Sequence, residues 1–104
     1  IQHPLAECWI QLESAWWTCM RAASLYDAGR PCGAEANMAK MLTAEASWAA
    51  AEACVQTFGG FAFAAEYDVE RKFRETRLYQ VAPISTNLVL SYIAEHVLEM
   101  PRSY

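Results

Sequence analysis

The sequence predicts an all-α fold in which helices pack side by side as a helical bundle. Alanine is plentiful, whereas glycine and proline number only four each among 104 residues, and this composition favours helix. Apolar residues recur with the period of an amphipathic helix in three long segments. Glycine or proline follows the end of each segment. A chain of about 100 residues fits one domain with a modest core.

The first helix is predicted from Leu5 to Tyr26. Its apolar stripe contains Cys8, Trp9, Leu12, Trp16, Cys19, Met20 and Ala23. Residues 27–31 (DAGRP) end it, because glycine suits the position after the cap and proline forbids a further turn. Ile10 and Trp17 lie off this stripe, so a second face is expected to be buried against a neighbouring subunit. The alternative is that these side chains are exposed on a monomer.

The second helix is predicted from Gly33 or Ala34 to Phe58. Bulky apolar residues along it alternate with alanines, and the alanines let another helix approach closely. The pair Gly59-Gly60 is predicted to stop this helix, because the residue beyond a helix cap often needs a positive φ. Asp68 is a candidate N-cap for a short helix in the charged stretch that follows.

Residues 78–82 are predicted to cross one end of the bundle as an irregular or short extended segment. Pro83 disfavours helix in the residue before it and suits an early helical position itself. The last helix is predicted from about Ser85 to Leu98, with Pro101 beyond its end. Its start is open, since three residues are competent caps: Ser85, Thr86 and Asn87.

The composition excludes several classes of function. A formal charge of −4 argues against nucleic acid as a partner. No apolar run approaches the roughly 18 residues that a membrane span needs. The four cysteines form no C-x-x-C pair, and three lie beside apolar residues in helical patterns, which indicates reduced, mostly buried thiols in a cytoplasmic protein. The sequence contains no G-x-S-x-G motif, no P-loop and no cluster of metal ligands.

Three motifs resemble the C-terminal signature of the acyl-CoA dehydrogenase family. They are residues 56–60 (QTFGG), residues 66–71 (EYDVER) and then Arg74. The resemblance extends from Ile1 to the helix before Pro101. Members of that family contain an N-terminal helical domain, a middle β-domain and a C-terminal four-helix bundle. Residues 1–104 are therefore expected to supply most of the last bundle, without its first helix, as the back part of a larger polypeptide.

The resemblance also implies which residues contact a cofactor. Family members are FAD enzymes, and Gln56, Gly60, Ser85 and Asn87 match positions that contact the flavin cofactor. The chemistry is compatible, since an amide offers both donor and acceptor and a glycine lets a ligand approach the backbone. For Gly60 the alternative is a helix terminator with no binding role; the surrounding motif favours both roles together.

The position of the usual catalytic base departs from the family pattern. Many members carry Tyr-Glu-Gly-Thr where this chain has residues 82–85 (APIS), and the Glu is the base that abstracts a proton. Pro83 takes the place of that Glu, and proline has no side chain that accepts a proton. No catalytic residue is therefore assigned within this chain. The resemblance implies that the base lies upstream of Ile1, on the first helix of the bundle.

The charged stretch of residues 66–77 alternates in sign and is expected to neutralise itself rather than to bind phosphates. Arg74 matches a recurrent arginine of the family, which implies a buried, bidentate pairing. His96 lies on the apolar side of the last helix, where a packing histidine is commoner than a catalyst.

The resemblance implies an oxidoreductase of fatty acid metabolism that dehydrogenates an acyl-CoA thioester between its α and β carbons. The implied partners are acyl-CoA, an electron-transfer flavoprotein and further copies of the chain in a homodimer or homotetramer; no metal is implied. Two alternatives stay open: a free-standing helical interaction module, and a divergent family member without dehydrogenase activity. Composition and periodicity fit the interaction module equally well.

Overall fold

The computed structural model describes residues 1–103, which contain helices and no strand. The all-α fold class is confirmed. The α-helices are α1 (Gln2–Asp27), α2 (Gly33–Phe58), α3 (Val69–Leu78) and α4 (Thr86–Tyr92), and a π-helical turn (Ile93–Val97) continues α4. Two short 3-10 helices (Gly59–Phe63 and Ala65–Tyr67) connect α2 to α3.

The helices α1 and α2 form an antiparallel pair, which is the most extensive contact in the fold. A short connection joins the end of α1 to the start of α2, and the Cys8 thiol near the start of α1 lies 3.8 Å from the Ala49 carbonyl oxygen near the end of α2. Buried alanines, such as Ala15 on α1 and Ala39 on α2, allow the helices to approach closely. The helix α1 begins three residues before the prediction, because Pro4 is tolerated in a first turn, where its missing N–H would have no partner.

The glycine stop after α2 is confirmed at Gly59. Gly59 has a φ of 62°, the left-handed region that glycine enters without strain. The aromatic run that follows is not extended: Gly59–Phe63 forms a 3-10 helix in which Ala62 is buried, whereas Phe61 and Phe63 are exposed.

The helix α3 packs on α2 through aromatic rings. The rings of Trp48 and Phe73 lie 4.4 Å apart between centroids, and the Arg77 guanidinium lies 5.4 Å from the Trp48 ring. Asp68 occupies the predicted N-cap position, but its side chain accepts no capping hydrogen bond. Its φ of 59° is left-handed, whereas a capping side chain needs an extended backbone, and its carboxylate accepts instead from Nε of Arg71 at 3.2 Å.

The connection from α3 to α4 is irregular, as predicted, but it is a tight turn rather than an extended segment. The amides of Val81 and Ala82 both donate to the Leu78 carbonyl, at 3.0 and 2.9 Å. Pro83 precedes α4 instead of lying in its first turn, so that part of the prediction is wrong. Ser85 is the cap, since its hydroxyl oxygen accepts from the Leu88 amide at 3.4 Å.

The core is small, and the four cysteines are unpaired and half-buried rather than fully buried. Val89 on α4 is the largest side chain that is completely enclosed. Ile10 and Trp17 are 63% and 67% exposed, and Trp9 and Trp16 beside them are also exposed. Within residues 1–103, no helix combines the length and apolar character needed to cross a membrane.

Candidate functional site

Gln56 lies in the last turn of α2, with its side chain exposed. It borders a cleft of about 540 Å³ between the end of α2 and the start of α1, which Pro4, Glu7 and Cys8 line from the other side. Within residues 1–103 the Gln56 amide makes no hydrogen bond, so both its donor and its acceptor are available to a ligand.

Gly60 follows the glycine that ends α2 and is exposed. A Cβ built at Gly60 would meet no atom within 4 Å, so its backbone faces open space. The neighbouring rings of Phe58 and Phe61 both contact Tyr67 edge-on, with centroids 6.1 and 5.6 Å apart. The end of α2 therefore presents accessible backbone beside an aromatic cluster.

Ser85 and Asn87 lie at the start of α4. The Ser85 hydroxyl oxygen accepts the cap hydrogen bond from Leu88, which leaves its proton free to donate elsewhere. Asn87 is exposed, and in the described part of the chain its amide makes no hydrogen bond. The start of α4 thus carries an exposed amide and a half-buried hydroxyl with a proton to donate.

The structure does not bring the four predicted cofactor residues together. The helix α4 runs beside the first half of α2, where Tyr92 packs against Gly33, and the turn before α4 lies beside Lys40 and Ala44. Gln56 lies about 18 Å further along α2 than Ala44, at a rise of about 1.5 Å per residue. The two pairs can therefore contact opposite ends of one extended ligand or two different ligands.

A cleft of about 420 Å³ lies beside Pro83, the position of the usual base. It is lined by Lys40, Thr43, Ala44 and Ser47 of α2 and by Tyr79, Ala82 and Pro83 of the turn. No carboxylate is among these residues. The residues that line this cleft thus include no carboxylate that could take the place of the usual Glu.

The two carboxylates nearest to Pro83 in the sequence do not line this cleft. Glu75 accepts from Nη1 of Arg71 at 2.7 Å and lies 4.0 Å from the Lys72 ammonium. Glu95 lies in the π-helical turn after α4. A third carboxylate, Glu35, has one oxygen closed off from solvent with no hydrogen-bond partner in the described chain. No motif in the sequence singled out Glu35.

The charges on α3 neutralise one another, as predicted. The hydrogen bond from Arg71 lowers the pKa of Asp68, and the one from Arg74 lowers the pKa of Glu70. Arg74 is bidentate, with Nε and Nη2 at 2.8 and 3.3 Å from the two Glu70 oxygens. Its side chain is 68% exposed, so the expectation of a buried pairing is wrong: the partner lies one turn away on the same outward face.

His96 contacts the Tyr92 ring, with centroids 4.7 Å apart, but its side chain is exposed rather than packed on the apolar side of the helix. Among residues 1–103, no group of three histidine, cysteine, aspartate or glutamate side chains is arranged to hold a metal ion.

Comparison with known proteins gives a consistent result. The sequence model of the family "Acyl-CoA dehydrogenase, C-terminal domain" matches residues 1–98. Acyl-CoA dehydrogenase FadE12 of Mycobacterium tuberculosis is 44% identical over 106 residues, covering 100% of this chain and 27% of that protein. The human mitochondrial short-chain specific acyl-CoA dehydrogenase is 35% identical over 99% of this chain and 25% of its own length. The rat mitochondrial short/branched chain specific enzyme is 34% identical over 93% of this chain and 22% of its own length. The chain spans about a quarter of the length of these relatives.

Proposed function

Since this chain belongs to the acyl-CoA dehydrogenase family, whose C-terminal domain it matches, we propose that residues 1–104 are the C-terminal helical domain of a longer FAD-dependent acyl-CoA dehydrogenase. The full-length enzyme would remove hydrogen from the α and β carbons of an acyl-CoA thioester and pass electrons to an electron-transfer flavoprotein. The match across residues 1–98 is the observation that carries this proposal.

We propose that the four predicted cofactor residues bind FAD in two separate places. Gln56 and Gly60 contact one part of a flavin cofactor, and Ser85 and Asn87 contact another part or the cofactor of a neighbouring subunit. Three features fit a ligand here: the unpaired Gln56 amide, the open backbone at Gly60 and the exposed Asn87 amide at the start of α4. Bound FAD would supply the acceptor for the β-hydride. This chain contributes binding and orientation.

We propose that the proton-abstracting base lies outside this chain. The cleft beside Pro83 contains no carboxylate, and Glu75 belongs to a surface network with Arg71 and Lys72. A base for this step must be positioned at the substrate, usually as a carboxylate whose pKa is raised by burial. None of the carboxylates that the structure describes lies in that setting near Pro83.

We propose further that the exposed face of α1 joins subunits of a homodimer or homotetramer. Large apolar side chains rarely stay exposed as a group unless a partner covers them. The proposal does not specify the acyl group, because the relatives named above include a short-chain specific and a short/branched chain specific enzyme.

The test uses the full-length enzyme purified without added flavin and then reconstituted with FAD. We expect a yellow protein with about one FAD per chain, whose flavin absorption bleaches when an acyl-CoA is added without oxygen. A protein that stays colourless after reconstitution contradicts the proposal and supports a helical interaction module. A protein that binds FAD but is not bleached by straight, branched or cyclic acyl-CoA identifies a divergent family member.

A further inference from the structure

The turn of residues 79–85 leads into α4, which Ser85 caps and whose first turn contains Asn87. Apolar packing holds this turn only weakly, because the Tyr79, Val81 and Ile84 side chains are 51%, 57% and 44% exposed. A cleft of about 420 Å³ also separates the turn from α2. We therefore expect polar contacts to help to hold it in place.

Lys40 makes such a contact across the cleft. Its ammonium on α2 donates a hydrogen bond to the Tyr79 carbonyl oxygen, 39 residues further along the chain. Both residues line the cleft, so the lysine side chain spans the space that packing leaves open. A hydrogen bond from a charged donor contributes more than a neutral one, which suits it to hold a loosely packed segment.

Hydrogen bonds connect the backbone next to Tyr79 to the start of α4. The carbonyl of Gln80, the next residue, accepts from the Thr86 amide at 3.2 Å and from the Thr86 hydroxyl at 3.4 Å. Thr86 lies between Ser85 and Asn87. The position of the Tyr79–Gln80 backbone is thus transmitted through two hydrogen bonds to the first turn of α4.

We propose that Lys40 is a positioning residue for flavin binding. Its hydrogen bond to the Tyr79 carbonyl holds the turn in place, and the turn orients Ser85 and Asn87 toward FAD. The inference rests on the proposed function, because it assigns Lys40 a role at the same cofactor site. Lys40 itself need not touch the cofactor. Its effect passes through the turn and α4.

The first experiment measures the FAD dissociation constant of the full-length enzyme by flavin fluorescence. Lys40→Met removes the donor while keeping an unbranched side chain, and we expect FAD to bind about tenfold more weakly. Lys40→Arg keeps a charged donor, so the affinity is expected to stay within about threefold of the parent. Lys72→Met is the matched control, because Lys72 is the other lysine of the chain and lies on the exposed face of α3.

A double-mutant cycle tests the route from Lys40 to the cofactor. If Lys40 acts through the start of α4, Lys40→Met has little further effect once Asn87→Ala and Ser85→Ala have removed the contacts that it positions. Lys72→Met is expected to change the FAD dissociation constant by the same small factor in the parent and in the Ser85→Ala/Asn87→Ala background. Hydrogen exchange gives an independent readout: Lys40→Met should speed exchange at the Val81, Ala82 and Thr86 amides and leave α1 unchanged.

Each result decides the inference. It is overturned if Lys40→Met weakens FAD binding no more than Lys72→Met does, or equally in the parent and in the Ser85→Ala/Asn87→Ala background. Should Lys40→Met not fold, Lys40→Gln replaces it, because the shorter amide no longer spans the cleft. An enzyme that binds no FAD at all contradicts the proposed function first. A turn with unchanged hydrogen exchange in the Lys40 variants contradicts the inference about Lys40 whether or not flavin is bound.

Discussion

The helices α1 and α3 both pack against α2, yet their outward faces are opposite in character. The outer side of α1 carries exposed Trp9, Trp16 and Trp17, whereas α3 carries arginines and carboxylates that pair within the same helix. The charged groups of α3 are satisfied inside one chain. The exposed apolar side chains of α1 have no partner of this kind in the described chain, since only burial removes them from water. The contrast teaches that an exposed face indicates a partner when nothing in its own chain meets its chemical needs.

The largest effect is expected when the α1 face is made polar. In the full-length enzyme, Trp16→Gln/Trp17→Gln should raise the subunit dissociation constant by about a hundredfold or more, because buried tryptophans are frequent hot spots of interfaces. Sedimentation velocity over a concentration series measures this. Phe63→Gln is the control, since Phe63 is 78% exposed but lies outside α1. A double variant that associates as tightly as the parent contradicts the assignment of this face to subunit contact.

The inner side of α3 is expected to matter next, for stability rather than association. Phe73→Ala removes the ring that lies 4.4 Å from Trp48, and we expect a loss of about 2–3 kcal/mol in the free energy of unfolding, since Phe73 is only partly buried. Urea unfolding of the full-length enzyme, followed by tryptophan fluorescence, measures the change. Phe63→Ala should stay within about 0.5 kcal/mol of the parent. Equal losses from the two variants would contradict the packing role of Phe73.

The helices themselves were predictable from the sequence, because their causes are local. The apolar period and the stops at residues 27–31 and at Gly59 depend on neighbours within a few positions, so α1 and α2 were predicted within three residues. The tight turn before α4 was not predicted. It includes a hydrogen bond from Lys40 to the Tyr79 carbonyl, and Lys40 is 39 residues away, so the local sequence could not indicate this contact.

The cofactor role of the candidate site residues stays a prediction, whereas their arrangement in space could not be predicted at all. The motifs singled out Gln56, Gly60, Ser85 and Asn87; in the structure Gln56, Gly60 and Asn87 are exposed, and Ser85 is half-buried. The distance between the pair Gln56 and Gly60 and the pair Ser85 and Asn87 depends on where α4 packs along α2. That position, beside Gly33, is a tertiary contact. The exposure of Arg74 was also missed. The motif identifies a recurrent arginine but not its partner, and helical spacing pairs Arg74 with Glu70 on the same exposed face.

The smallest effect is expected from the outer charges of α3, and pH is the way to detect it. The hydrogen bond from Arg74 lowers the pKa of Glu70 in the folded protein from its ordinary value of 4.5. A carboxylate with a lowered folded pKa contributes stability that is fully present above the unfolded value and is lost as the pH falls through the folded value. The contribution of the pair should therefore start to fall below about pH 4.5 and be lost as the pH passes through the lower folded value.

Glu70→Gln tests this directly, because it keeps the shape of the side chain and removes the titrating group. The free energy of unfolding should fall slightly less between about pH 6 and about pH 3 in Glu70→Gln than in the parent. Because the pair is exposed, the difference should shrink further in high salt. Glu66→Gln is the control, since Glu66 makes no ion pair with any residue that the structure describes. If Glu70→Gln and Glu66→Gln show the same pH dependence, α3 gains nothing measurable from its outer pairs. Its place in the fold would then rest entirely on the face that meets α2.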